Sequence, residues 1–191
     1  MASPSTAPTA PSSCALVIFG ASGDLAALKL LPAIYKLAEE KLLPEKFALV
    51  GYSRTKMSDD EFRARFREAA SEHHDVDRAL LDEVAGKIYY QPGQYDSAED
   101  FDQLKSRLGD LEGKHGTGGN ALFYLSTPPN TFAPIAQCLA QHERRLAAVL
   151  LDAGAQFGFG LTAAPLAQVE LGKPHVPVHA AVGNRPPEEV L

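Results

Sequence analysis

Short, unbroken apolar runs recur along the chain, separated by longer stretches in which apolar residues return every three or four positions. Cys14–Phe19 (CALVIF) has no polar alternation, the pattern of a strand covered on both faces in a parallel sheet. Residues 47–52 (FALVGY) and 121–126 (ALFYLS) repeat it, 87–91 (KIYYQ) are rich in β-formers, and 146–151 (LAAVLL) fit a fifth strand. Between the first two runs, Leu25, Leu28, Leu31, Ile34, Tyr35, Leu37 and Ala38 form one helical stripe over 25–40. Pro32 lacks an N–H inside that stripe, which predicts a kink or a split into two shorter helices. Ser58-Asp59-Asp60-Glu61 is a capping box for a helix running to about 73, with Phe62 and Phe66 turned to the core. A further helix is expected over 76–85. Ser97-Ala98-Glu99-Asp100 opens another, which ends in the glycine-rich 113–119, and Thr127-Pro128-Pro129-Asn130 leads into a last one ending near 142.

Strands alternating with helices imply right-handed βαβ units and an α/β fold, a doubly wound parallel sheet of Rossmann-like type. The organisation expected is a flexible leader over 1–13, this α/β domain over 14–142, and a divergent tail of uncertain fold over 143–191, where sustained periodicity is lost. The leader, MASPSTAPTAPSS, has neither the apolar core of a secretory signal nor the Arg of a transit peptide. No run of about 18 apolar residues offers a membrane span.

Composition narrows the function class. The 191 residues are 45% hydrophobic and 22% charged, ordinary values for a chain that buries a core. A formal charge of -6 argues against a nucleic-acid partner, whose phosphates demand clustered Lys and Arg. Cys14 and Cys138, the only two cysteines, form no disulfide framework or zinc spacing, which fits a reducing cytoplasm.

The candidate chemistry sits where strands end. Gly20-Ala21-Ser22-Gly23-Asp24-Leu25-Ala26 (GASGDLA) lies between the first strand and its helix, where glycines let the backbone approach a diphosphate held by the helix's free N–H groups. The spacing is GxxG rather than GxGxxG, and a bare connecting turn is the alternative. The second strand ends in Ser53-Arg54-Thr55-Lys56; an acid there would bind the ribose 2′-hydroxyl of NAD, whereas Arg suits the 2′-phosphate of NADP. NADP is therefore expected over NAD, with a solvated basic loop as the alternative. The interval from the glycine turn exceeds the usual about 20 residues, and 41–46 would have to absorb the excess. Tyr52 to Lys56 reads YxxxK, a proton-transfer pattern in short-chain dehydrogenases, but it follows the wrong strand for that role. His73, His74, His175 and His179 lack the carboxylate or Cys that would complete a metal site.

CALVIFGASGDLA, GYSRTKMSDDEFR, YYQPGQYDSAEDF and NALFYLSTPPNTFAPI, in that order and spacing, resemble the amino-terminal coenzyme-binding domain of the glucose-6-phosphate dehydrogenase family over 14–142. The resemblance implies a domain that binds NADP in an enzyme of the pentose phosphate pathway, which oxidises glucose 6-phosphate at C1 to the lactone. By position it implies Gly20, Ala21, Ser22, Gly23, Asp24, Leu25, Ala26 and Ala27 at the diphosphate, and Arg54 with Ser53 at the 2′-phosphate. Gln94 and Tyr95 would lie near the adenine, and Thr127 and Pro128 near the nicotinamide. Departures accompany it. Ala27-Leu28 stands where the family often has a basic pair, and Asp152-Ala153-Gly154 where an EKPxG motif is expected; the DHYLGKE motif and its substrate domain have no counterpart. The chain is thus expected to hold only the coenzyme half, to turn over glucose 6-phosphate only if another chain completes it, and to associate with a second copy or a longer subunit. A non-enzymatic binding module and an unstable remnant with an unpaired sheet edge are the competing expectations.

Overall fold

The structure is a computed structural model that describes residues 12–72, 75–142 and the backbone of 146–151. Most of the expected leader, nearly all of the expected tail and the four histidines considered as ligands lie outside the described residues.

Five strands, β1 (Cys14–Phe19), β2 (Phe47–Ser53), β3 (Ile88–Pro92), β4 (Ala121–Leu125) and β5 (Leu146–Leu151), form one sheet in the order β3-β2-β1-β4-β5. Every pairing is parallel, as the buried runs predict. The chain walks outward from β1 to β3, then returns to the other side of β1 for β4 and β5, so the order reverses between β1 and β4. Phe19 is in register with both Tyr52 and Leu125, which brings the carboxyl ends of three strands level at that reversal. In open α/β sheets this crevice is where ligands bind.

Alternation along the strands divides the core into two layers. Ile18, Phe47, Leu49, Ile88 and Tyr90 face α1 (Leu31–Glu39), α2 (Asp59–Ser71) and α3 (Arg78–Ala85). Val17, Phe19, Val50, Tyr52 and Phe123 face α4 (Ala98–His115) and α5 (Phe132–His142). A Cβ at Gly51 would lie 2.5 Å from Phe62 Cζ, so the missing side chain is what lets α2 seat its aromatic ring against the sheet. Full burial of a ring such as Phe62 contributes about 1.5–3 kcal/mol.

Element ends depart from the pattern for identifiable reasons. The first helix is split as Pro32 predicts, and the split takes the form of a wide π turn over Ala26–Leu30 ahead of α1. Leu31 N–H reaches back to the Ala26 carbonyl because Pro32 has no N–H for Leu28. α4 runs through Gly113 to His115 rather than stopping at the glycine-rich segment, and Gly116, with φ +66, caps it in the left-handed region.

β3 is an edge strand, and side chains close it. Arg63 Nε donates to the Ile88 carbonyl at 2.9 Å, and Asp59 accepts the Tyr90 N–H at 2.7 Å. Arg107 from α4 holds both oxygens of the same carboxylate, at 2.6 Å on Oδ2. Groups that would otherwise template another strand are thereby occupied. Asp59→Asn is expected to lower stability by about 1–2 kcal/mol, because the carboxylate charge that Arg107 Nη2 bridges is lost from a partly exposed pair. A urea transition should show a lower midpoint at unchanged slope; an unchanged midpoint would remove the edge clamp from the account.

Candidate functional site

The turn that leaves β1 is shaped by lack of space. Gly20 has φ +84, and a Cβ there would lie 2.3 Å from the Ser126 carbonyl oxygen and 3.0 Å from Thr127 Cγ2. Only glycine passes at that angle between the ends of β1 and β4. Gly20 N–H donates to the Tyr52 carbonyl at 2.8 Å, and Gly23 N–H returns to the Gly20 carbonyl at 2.9 Å, closing a tight turn. The helix starts at once with Asp24 and Leu25. Among the described residues, the amides of Ser22, Asp24, Leu25 and Ala26 donate to no backbone carbonyl, whereas Ala27 N–H is already committed to Gly23. Free N–H groups at the positive end of a helix are suited to an anion.

A cluster of hydroxyls locks this turn to β2. Ser53, 2% exposed, donates to Ser22 Oγ at 2.8 Å and lies 2.6 Å from the Tyr90 hydroxyl. Thr55 Oγ1 donates to the same Ser22 oxygen at 3.0 Å, and Tyr90 donates to the Thr55 carbonyl at 2.8 Å. The Ser53 hydroxyl is thus buried within the cluster at the strand end. Arg54, the next residue, is exposed and forms no ion pair with a carboxylate among the described residues. Its guanidinium carbon lies 5.5 Å from the centre of the Tyr95 ring, a cation–π contact that fixes its direction.

Tyr95 is 9% exposed and belongs to the core with Phe19, Tyr52 and Phe101. Burial pushes its hydroxyl pKa up, while the Arg54 charge and the Gly20 amide pull it back. Gln94 keeps an exposed side chain, with its N–H given to Asp100 and its carbonyl accepting the Tyr52 hydroxyl at 2.8 Å. Across the crevice Thr127 is buried against Gly20 and accepts from the Thr131 hydroxyl at 2.7 Å, while Pro128 is exposed at the rim. Gly20 to Ala26, Arg54, Tyr95 and Thr127 therefore gather at the carboxyl ends of β1, β2 and β4.

Other candidates fall away from it. Tyr52 is fully buried, its hydroxyl pKa is raised chiefly by burial, and it serves the Gln94 carbonyl, so the YxxxK pattern carries no proton transfer here. Among the described residues no group of three or more His, Cys, Asp or Glu could hold a metal ion. Thr55, Tyr90 and Arg65 join the site without having been singled out in the sequence. Arg65 Nη1 donates to the Ser22 carbonyl at 3.2 Å. No pattern marks it, since Arg63 and Arg67 on the same helix look identical in one dimension.

Comparison with known proteins meets this geometry. Residues 17–151 match the family model described as "Glucose-6-phosphate dehydrogenase, NAD binding domain". The chain is 40% identical over 141 residues to the glucose-6-phosphate 1-dehydrogenase of Chlamydia muridarum, covering 72% of this chain and 28% of that protein. It is 42% identical over 132 residues to that of Treponema pallidum, covering 66% and 25%. Among solved structures, a glucose-6-phosphate dehydrogenase in complex with glucose 6-phosphate superposes with a TM-score of 0.65 at 27% identity, over 76% of this chain and 31% of that one. The Mycobacterium avium enzyme gives 0.63 at 30% identity, over 73% and 29%. The chain thus spans about a quarter to a third of the length of the relatives it matches. With the family model matching residues 17–151, most of its length, the chain belongs to the glucose-6-phosphate dehydrogenase family, through that family's dinucleotide-binding domain.

Proposed function

We propose that this chain binds NADP in preference to NAD and forms the coenzyme side of a glucose-6-phosphate dehydrogenase that oxidises glucose 6-phosphate at C1 to the lactone, in the cytoplasm. The observation that carries the coenzyme preference is Arg54: an exposed guanidinium without a carboxylate partner among the described residues, at the strand end where an acid would select NAD. The donor set fits such a ligand, since the unpaired amides of Ser22, Asp24, Leu25 and Ala26 suit a diphosphate and a planar, permanently charged guanidinium suits a phosphate monoester. When bound, the nicotinamide would supply the hydride acceptor for the sugar carbon.

The chain's own residues bind and orient. Gly20 and Gly23 bring the backbone close to the diphosphate, the helix opening at Asp24 supplies the N–H groups, and Arg54 over Tyr95 reads the ribose end. Thr127 and Pro128 wall the crevice toward the nicotinamide half, with Gln94 at the rim near the adenine. Oxidation at C1 also needs a base for the hydroxyl proton and a fixed sugar phosphate. We assign both to polypeptide other than 14–142, in this chain's full assembly or in an associated subunit.

Two substitutions separate the contributions. Arg54→Ala is expected to weaken NADP binding by about ten- to a hundredfold, the worth of a charge-assisted contact, while NAD stays within about twofold. Gly20→Ala strains the turn both coenzymes share, so it should weaken NADP and NAD alike and lower the melting temperature. Calorimetric titration reads both; equal losses for the two coenzymes in Arg54→Ala would contradict the 2′-phosphate role.

A further inference from the structure

Three arginines project from α2, and they are not treated alike. Arg63 pairs with Asp60 at 2.8 Å and lies 3.9 Å from Asp59, while Arg67 pairs with Asp82 at 2.9 Å. Arg65 forms no ion pair among the described residues, and its Nη1 donates to the Ser22 carbonyl at 3.2 Å. Residues 63 and 67 share one flank of a helix, four positions apart; 65 is rotated away from both, toward the glycine turn. One carbonyl satisfies one of the five guanidinium N–H groups and none of the charge. A half-buried cation is therefore held against the phosphate turn without a counter-charge, an arrangement costly to desolvate unless an anion completes it.

The side on which it stands identifies the anion. Ser22, which Arg65 grips, takes the hydroxyls of Ser53 and Thr55 on its own Oγ, so the guanidinium lies where the turn meets the end of β2. Burial raises the Tyr90 hydroxyl pKa, and the Ser53 hydrogen bond and the Arg65 charge pull it back. Tyr90 belongs to the core layer of α1, α2 and α3, whereas Tyr95, under Arg54, belongs to the layer of α4 and α5. The two unpaired guanidiniums thus approach the end of β2 from opposite faces of the sheet.

We propose that Arg65 is a second specificity-determining cation of this site, gripping the coenzyme's 2′-phosphate from the face opposite Arg54. The assignment rests on the NADP reading above. The alternative role, a neutral brace for the Ser22 carbonyl, makes different predictions.

The test titrates the full chain with NADP, NAD and 2′,5′-ADP, using Arg65→Gln and Arg65→Lys beside the parent and checking each variant's thermal melt. Glutamine keeps an N–H donor for the Ser22 carbonyl and removes the charge; lysine keeps the charge. Arg65→Gln is expected to weaken NADP and 2′,5′-ADP by about tenfold or more and to leave NAD within about twofold, with a shallower salt dependence for NADP, while Arg65→Lys recovers most of the affinity. NADP binding unchanged in Arg65→Gln, or lost in equal measure with NAD, overturns the assignment and leaves Arg65 a brace, with the NADP reading intact. A parent chain that binds neither dinucleotide overturns the NADP reading itself, and the Arg65 assignment with it.

Discussion

The close passage of Gly20 beneath Ser126 and Thr127 is the constraint on which the site depends. Because Gly20 lacks the Cβ that would lie 2.3 Å from a carbonyl oxygen, the chain can leave β1, turn within four residues and start its helix at Asp24. That short turn starts the helix, whose first amides donate to no backbone carbonyl among the described residues, at the end of β1, beside which the sheet order reverses. A residue with a side chain would have to widen the turn, and the amides would then point elsewhere.

The same turn is tied to its neighbours by polar contacts. Ser22 takes hydroxyls from Ser53 and Thr55 and its carbonyl accepts from Arg65, so the glycine turn is tied both to the loop carrying Arg54 and to α2. Tyr90 completes the cluster from β3, and the Asp59 clamp that closes the edge of β3 holds its backbone. Sheet-edge protection and site geometry are thus linked through one strand. A partly buried hydrogen-bonded network of this kind fixes geometry more than it adds stability.

The sequence made the strands, the split helix, the capping box and the glycine turn legible, because each follows from local chemistry: unbroken apolar runs, a proline without an N–H, a serine three residues before a glutamate. β5 was readable from LAAVLL although the region around it lost periodicity. The continuation of α4 through Gly113 was not, since the cost of a helical glycine, roughly 1 kcal/mol, is outweighed by Leu104, Leu108 and Leu111 packed in the core. At the site, Arg54 was visible because it follows the strand directly. The Ser53–Ser22 hydroxyl contact could not be read from the sequence, nor Arg65 distinguished from Arg63 and Arg67, because those contacts arise between residues 31 to 43 positions apart.

In the function proposed here, the amides of the turn and the Arg54 loop serve one dinucleotide together. Backbone amide resonances of the 15N-labelled chain, followed during addition of NADP, test it directly. The largest shifts are expected at Ser22, Asp24, Leu25, Ala26 and Arg54, saturating together on one binding curve. Saturable NADP binding that leaves those amides unmoved and perturbs another part of the sheet would contradict it.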